Sequence, residues 1–202
     1  VPKEAELQDL RPHHFVPILD PRGGIVAATP ELGIPGFHVL GTMHQITQLQ
    51  ELLQAAGAGF LSDEEAAALR ITAGVPLYGV DMTEEHMPAE AGLEDALSHT
   101  KGCYLGQEVV VRLRDRGHLN RRLVRLRISD GPGDDPIAGA RLSHPGRPQA
   151  GVLTSIARSE RGLIALGYVH RSAWDPGTEL QLVDADGAPT GRTAVVSDLP
   201  MS

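Results

Sequence analysis

The second half of the chain is a series of short candidate strands. They lie at residues 121–128, 138–143, 151–158, 162–170, 179–183 and 192–197, each bounded by Gly, Pro or Asp. No helical pattern separates them, and Ser129–Pro136 is a strong turn cluster. Short, regularly spaced strands with no helix between them predict a small antiparallel β-barrel or sandwich. This constraint fixes the fold class of residues 119–202.

The first half has a different pattern, in which strands alternate with amphipathic helices. Thr42 precedes a helical apolar repeat that ends at Gly57, and Ser62 with Glu65 forms a capping-box pattern for a helix reaching about Ala73. Candidate strands precede these helices at residues 15–19, 24–29 and 36–41. The whole chain is therefore predicted to be α+β, with an α/β layer in residues 1–118 followed by the barrel.

Composition limits the functional classes. The 202 residues carry a formal net charge of -8, which argues against direct nucleic-acid binding. No apolar run approaches the roughly 20 residues that span a bilayer, so no membrane partner is expected. A single cysteine and the absence of a signal-peptide pattern indicate a reducing compartment, and we expect a cytoplasmic location. None of the nine histidines shows a metal-ligand spacing, so no metal is expected.

Charge is unevenly distributed along the chain. Residues 101–127 hold eight basic and two acidic side chains, whereas residues 81–95 hold six acidic side chains and no Lys or Arg. Two solvated surfaces of opposite sign, which pair with each other, are the ordinary interpretation. A basic rim that attracts an anionic ligand or partner is the functional alternative.

The only cysteine lies in an unusual octapeptide, Lys101-Gly102-Cys103-Tyr104-Leu105-Gly106-Gln107-Glu108. The two glycines allow close backbone approach, and the lysine adds a nearby cation. If Gln107 and Glu108 begin a helix, the positive helix end also favours the thiolate, although the valines that follow suit a strand equally well. Such surroundings lower a thiol pKa from about 8.5 to roughly 3.5–7.5. The alternative is that Cys103 is a small buried filler.

The octapeptide resembles the Lys-Gly-Cys-Tyr-x-Gly-Gln-Glu signature of the YgfZ-type folate-binding proteins, relatives of the glycine cleavage T-protein, an aminomethyltransferase. Further stretches resemble the family in the same order: residues 70–81, 88–93, 151–155 and 162–169. Proteins of this type are longer and have an N-terminal half-domain before the matched part. We therefore expect the chain to be a fragment, with its α/β layer incomplete at the N-terminus.

The resemblance implies a tetrahydrofolate site in the α/β layer. Glu90 matches the glutamate that contacts the pterin, while Tyr78 and Arg70 lie in the matching segment before it. Without the resemblance, a surface glutamate and a half-buried core tyrosine are the default interpretations. Asn120 and Arg121 resemble a stretch that follows the signature, and we expect them to be structural.

The resemblance also implies a function: a tetrahydrofolate-binding protein that supports iron–sulfur cluster assembly or repair. Cys103 would be the reactive group, and the partners would be folate and iron–sulfur enzymes or their assembly factors. One thiol cannot supply the four ligands of an ordinary cluster, so stable cluster binding by this chain alone is not expected. An aminomethyltransferase or other folate-dependent one-carbon enzyme is the first alternative, although the T-protein proper lacks the octapeptide. A scaffold with a vestigial folate site is the second.

Overall fold

The structure is a computed structural model that describes residues 18–19, 24–29, 32–98, 102, 108 and 118–197. The chain divides into two compact units, residues 1–66 and 67–202. The predicted domain border between residues 118 and 119 stays a prediction. No helix in the described ranges is long and apolar enough to cross a membrane.

The first unit contains a small antiparallel sheet and a helix. Its strands β1 (Ile18–Leu19), β2 (Ile25–Thr29) and β3 (Gly36–Leu40) pair in chain order. Helix α1 (Met43–Ala55) follows, and Thr42 caps it together with Gln45 in a capping box. The sequence prediction of a Thr42 cap is confirmed. None of the residues of α1 is buried.

Helix α2 (Asp63–Ala73) begins in the first unit and ends in the second. The predicted capping box is present, because the Glu65 amide donates to Ser62 Oγ and the Ser62 amide donates to Glu65 Oε2 at 2.7 Å. The Ser62 amide and the Ser62 hydroxyl both donate to the Glu65 carboxylate and lower its pKa. The Ser62 backbone hydrogen bond is the largest cause. A single 3-10 turn, Glu94–Ala96, follows among the loops after α2.

Six strands of the second unit close into an antiparallel barrel in the order β4-β7-β6-β5-β8-β9. Their bounds are β4 Arg121–Ile128, β5 Arg141–His144, β6 Arg147–Ser159, β7 Gly162–His170, β8 Glu179–Val183 and β9 Pro189–Ser197. The α+β class and the barrel are therefore confirmed, and β4, β7 and β8 match the predicted ranges. Strand β6 is longer than predicted because its first residues form a hairpin with β5.

Strand β7 is buried on both faces. Leu163, Ala165 and Val169 pack into the barrel interior, in the main apolar cluster. Ile164, Leu166 and Tyr168 point to the opposite, outer face. There they form a smaller apolar cluster with Leu123 of β4 and Ile71 of α2. Because Ile71 belongs to α2, the outer face of β7 is where the helix end packs on the barrel. A strand covered on both sides explains the uninterrupted apolar run of this segment.

The barrel wall is tight where β6 and β7 meet. A methyl group added at Gly167 would lie 2.6 Å from the carbonyl oxygen of Val152, and one added at Gly151 would lie 2.5 Å from that of Tyr168. Glycine is required at both positions because a neighbouring backbone occupies the space of a side chain.

We expect Gly167→Ala to lower the free energy of unfolding by about 1–3 kcal/mol, since the new methyl group must push β6 away from β7. Chemical denaturation measures this change. Gly59→Ala is the matched control, because no atom lies within 4 Å of its added methyl group. Equal stabilities of the two variants would contradict the close approach of the strands.

Candidate functional site

Three hydrogen bonds hold the carboxylate of Glu90 at the start of β4. Arg121 Nε donates to Glu90 Oε1 at 3.2 Å, and Arg121 Nη2 donates to Glu90 Oε2 at 3.3 Å. The Met87 amide donates to Oε2 at 3.3 Å. The Leu123 amide also donates to the Glu90 carbonyl oxygen at 2.7 Å, which fixes the turn to the strand. The Glu90 side chain remains 14% exposed, so it is partly open to solvent.

Tyr168 of β7 lies beside this ion pair. Its ring stacks on His86 with centroids 4.5 Å apart, and the Arg121 guanidinium lies 5.2 Å from the ring centroid. The hydroxyl group is buried and has no hydrogen-bond partner among the described residues. Burial raises the pKa of Tyr168 to about 12, Arg121 opposes this shift, and the negative charges of Glu90 and Asp81 add to it. The phenol therefore stays neutral at physiological pH.

Asp81 is the centre of a second, fully buried polar cluster. Its Oδ2 accepts from Arg70 Nη1 at 2.6 Å and from the Leu77 amide at 3.0 Å. Its Oδ1 accepts from Thr154 Oγ1 at 2.5 Å and from Ser155 Oγ at 2.6 Å. Four donors occupy the two oxygens, which is what a buried carboxylate requires. This arrangement is complete by itself and has a structural function.

A β-bulge makes the polar cluster around Asp81 possible. Register shifts between Leu153, opposite Gly167, and Ser155, opposite Leu166, so that Thr154 is the extra residue. Successive side chains on a regular strand point to opposite faces, but here both hydroxyl groups reach one carboxylate oxygen. The bulge thus directs two consecutive residues toward Asp81.

Arg70 is engaged by protein partners in this structure. Besides Asp81, it donates to the Val75 carbonyl oxygen at 2.7 Å and to Ser155 Oγ at 2.9 Å. Its side chain is 15% exposed. Its predicted contact with folate stays a prediction. The geometry by itself gives it a structural task, which is to join the end of α2 to β6.

The remaining candidates are placed as follows. Tyr78 is 63% exposed, in a loop whose backbone forms an isolated bridge to Met82. Gly102 and Glu108 are both exposed. Six members of the octapeptide motif lie outside the described residues: Lys101, Cys103, Tyr104, Leu105, Gly106 and Gln107. Their predicted roles stay predictions. No cluster of three potential metal ligands occurs in the described ranges.

Sequence reasoning missed two members of the site. Tyr168 lies within an apolar run that shows only a buried strand, so no pattern distinguished it. His86 was one of nine histidines without a ligand spacing, and the turn in which its Nδ1 accepts from the Thr83 amide at 3.1 Å carried no signal in the sequence analysis. Asp81 was counted with the surface acids, yet it is only 1% exposed. Arg121 was expected to be structural. It pairs with Glu90, as the opposite charges of residues 101–127 and 81–95 suggested.

No protein-family model matches the chain. It is 31% identical over 167 residues to a chloroplastic protein of Arabidopsis thaliana provisionally named a transferase, covering 82% of this chain and 36% of that protein. It is 35% identical over 151 residues to an aminomethyltransferase of Rubrobacter xylanophilus, covering 72% of this chain and 39% of the relative.

The fold is also similar to that of a solved aminomethyltransferase. The crystal structure of the glycine cleavage system aminomethyltransferase T from Bartonella henselae superposes with a TM-score of 0.72 at 25% identity. The match covers 88% of this chain and 49% of that one. The chain is therefore related to the glycine cleavage T-protein family, and it spans between about a third and a half of the length of these relatives.

The orphaned hydroxyl of Tyr168 generates a stability prediction. We expect Tyr168→Phe to keep or raise the free energy of unfolding at neutral pH, by up to about 1 kcal/mol, since it removes a buried group that has no partner. Denaturant titration measures this change. A loss of more than about 1 kcal/mol would show that the hydroxyl group makes a necessary hydrogen bond.

The same variant tests the raised pKa. Above pH 10 the tyrosine of the unfolded chain ionises, whereas the folded phenol stays protonated until about pH 12. The unfolded state is therefore favoured as the pH rises through this window. Wild type should lose more stability between pH 10 and 12 than Tyr168→Phe does, and parallel curves would contradict the assignment.

Proposed function

We propose that this chain binds a reduced folate, tetrahydrofolate or a derivative, through the carboxylate of Glu90. The observation that carries the proposal is that this carboxylate is held in place at the end of a barrel strand and is still 14% exposed. A pterin presents a ring N–H and an adjacent amino group, and a carboxylate accepts both in parallel. The relationship to proteins named aminomethyltransferase supports this choice of ligand class.

The groups around Glu90 fit a planar heterocycle. His86, which stacks on the buried ring of Tyr168, provides aromatic surface beside the carboxylate, and Arg121 supplies a cation next to it. The neutral Tyr168 phenol supports the His86 ring without adding charge. Stacking surface combined with a carboxylate suits an aminopyrimidine ring system better than an aliphatic or phosphorylated ligand. Tyr78 and Arg70 are the further residues proposed to line the folate site.

For the biological task, we propose support of iron–sulfur cluster assembly or repair in the cytoplasm. The octapeptide motif from Lys101 to Glu108 is the basis of this proposal, because it resembles the signature of the YgfZ-type proteins. Cys103 would supply a reactive thiol, and iron–sulfur enzymes or their assembly factors would be the partners. Bound folate would serve this task from the proposed Glu90 site.

An aminomethyltransferase or another folate-dependent one-carbon enzyme is the second candidate. The relatives that carry the name aminomethyltransferase favour it. Tetrahydrofolate-dependent release of ammonia from an aminomethyl-lipoyl carrier distinguishes the two. Turnover would establish the enzyme, whereas its absence alongside folate binding favours the accessory role.

We expect Glu90→Gln to weaken tetrahydrofolate binding by roughly 10- to 100-fold, because a neutral amide cannot accept two charge-assisted hydrogen bonds from the pterin edge. Isothermal titration calorimetry on the intact protein measures the Kd. Glu85→Gln is the control, since Glu85 is exposed and carries the same charge. Equal affinities for the two variants would exclude Glu90 from the site.

Cys103→Ala should separate the two parts of the proposal. The intact protein with this change is expected to bind folate with unchanged affinity and to lose its support of iron–sulfur enzymes, because only the thiol is removed. Activity of a client iron–sulfur enzyme in cells that express the variant is the measurement. Full support by the variant would remove the thiol from the mechanism.

A further inference from the structure

The carboxylate of Glu90 already holds a forked pair of N–H donors in this structure. Arg121 presents Nε–H and Nη2–H, one to each carboxylate oxygen. Both nitrogens are attached to one carbon atom, so the donors are parallel and coplanar. This is the bidentate geometry that a carboxylate forms with a guanidinium group.

A pterin would offer the same chemical edge. Its ring N–H and its 2-amino group are likewise two nitrogens on one carbon, with parallel N–H bonds. The guanidinium of Arg121 therefore occupies the hydrogen-bonding positions that the ligand requires. The Met87 amide already uses part of the remaining capacity of Oε2. A carboxylate has about four acceptor positions, and three are in use.

The contact between Arg121 and Glu90 has features of an exchangeable pair. Its two hydrogen bonds, at 3.2 and 3.3 Å, are longer than the 2.7–2.9 Å that is usual between charged groups. The Arg121 side chain is 44% exposed. By contrast, Arg70 and Asp81 approach to 2.6 Å, with side-chain exposures of 15% and 0%. Of these two ion pairs, the Arg70–Asp81 pair is therefore the tightly held one and the Arg121–Glu90 pair is the loose one.

Arg121 also has a second partner, which it contacts while it is paired with Glu90. The face of the Tyr168 ring lies 5.2 Å from its guanidinium carbon, within the range of a cation–π interaction. Releasing Glu90 therefore leaves the arginine near an aromatic surface and solvent. The backbone bond from Leu123 to the Glu90 carbonyl oxygen keeps the turn in place during this exchange.

We propose that Arg121 is an internal stand-in for the ligand and that it gates the Glu90 site. The site selects ligands with a guanidine-shaped N–C–N donor edge, and such a ligand enters by displacing the Arg121 fork. This inference rests on the proposed folate site and extends it by naming the recognised edge and the residue that competes for it.

Arg121→Met tests the gate directly. Methionine keeps an unbranched side chain of similar length but offers no donor, so pterin should bind roughly three- to tenfold more tightly and associate faster. Stopped-flow fluorescence of pterin, with the folded state checked by thermal melting, is the measurement. Arg171→Met is the matched control, because it removes an exposed charge that has no ion pair among the described residues and should leave the rate unchanged. Lumazine, which has a carbonyl group in place of the 2-amino group, should bind neither protein.

Weaker or unchanged pterin binding by Arg121→Met would overturn the gate. If that variant does not fold, Arg121→Lys replaces it, since lysine keeps the charge and cannot form the fork. If wild type binds no pterin, the folate proposal fails. Recognition of the N–C–N donor edge is then tested separately with methylguanidinium. Millimolar methylguanidinium should raise the Tm of Arg121→Ala and not that of Arg171→Ala, and equal responses would overturn the stand-in.

Discussion

The second unit depends on one buried carboxylate. Asp81 has four donors, and these come from the end of α2, from the loop after it and from the bulge in β6. A charge without water needs every acceptor position filled, so these three segments must be placed together. The outer face of β7 supplies the apolar part of the same junction through Ile71 and Leu166.

The polar junction and the candidate site have different physical properties. Around Asp81, four hydrogen bonds and the burial of the carboxylate leave no capacity for a ligand. Around Glu90, longer hydrogen bonds and partial exposure leave one acceptor position and a partner that we propose to be displaceable. Tyr168 lies beside the Arg121–Glu90 pair, and the negative charges of Glu90 and Asp81 both raise its pKa. The two carboxylates differ in accessibility, which agrees with a structural role for Asp81 and with the binding role that we propose for Glu90.

Local features were predictable because they depend on neighbours in sequence. The Thr42 and Ser62 caps are formed by side chains three residues apart, and the barrel strands follow from short apolar segments bounded by turn residues. The length of β6 was not predictable, because its hairpin with β5 adds residues that have no apolar pattern. Glu90 was named as a candidate only through a resemblance, since one glutamate in a turn carries no periodic signal.

The sequence alone determined the α+β class, the barrel strands, the helix caps and the unusual position of Cys103. Only the tertiary structure decided that Arg121 faces Glu90, that Tyr168 lies beside them and that Asp81 is buried. The physical reason is distance along the chain: Arg121 and Glu90 are 31 positions apart, and Asp81 bonds to Thr154 and Ser155 over 73 and 74 positions. Closure of the barrel and the bulge in β6 bring them together, and no local propensity encodes either.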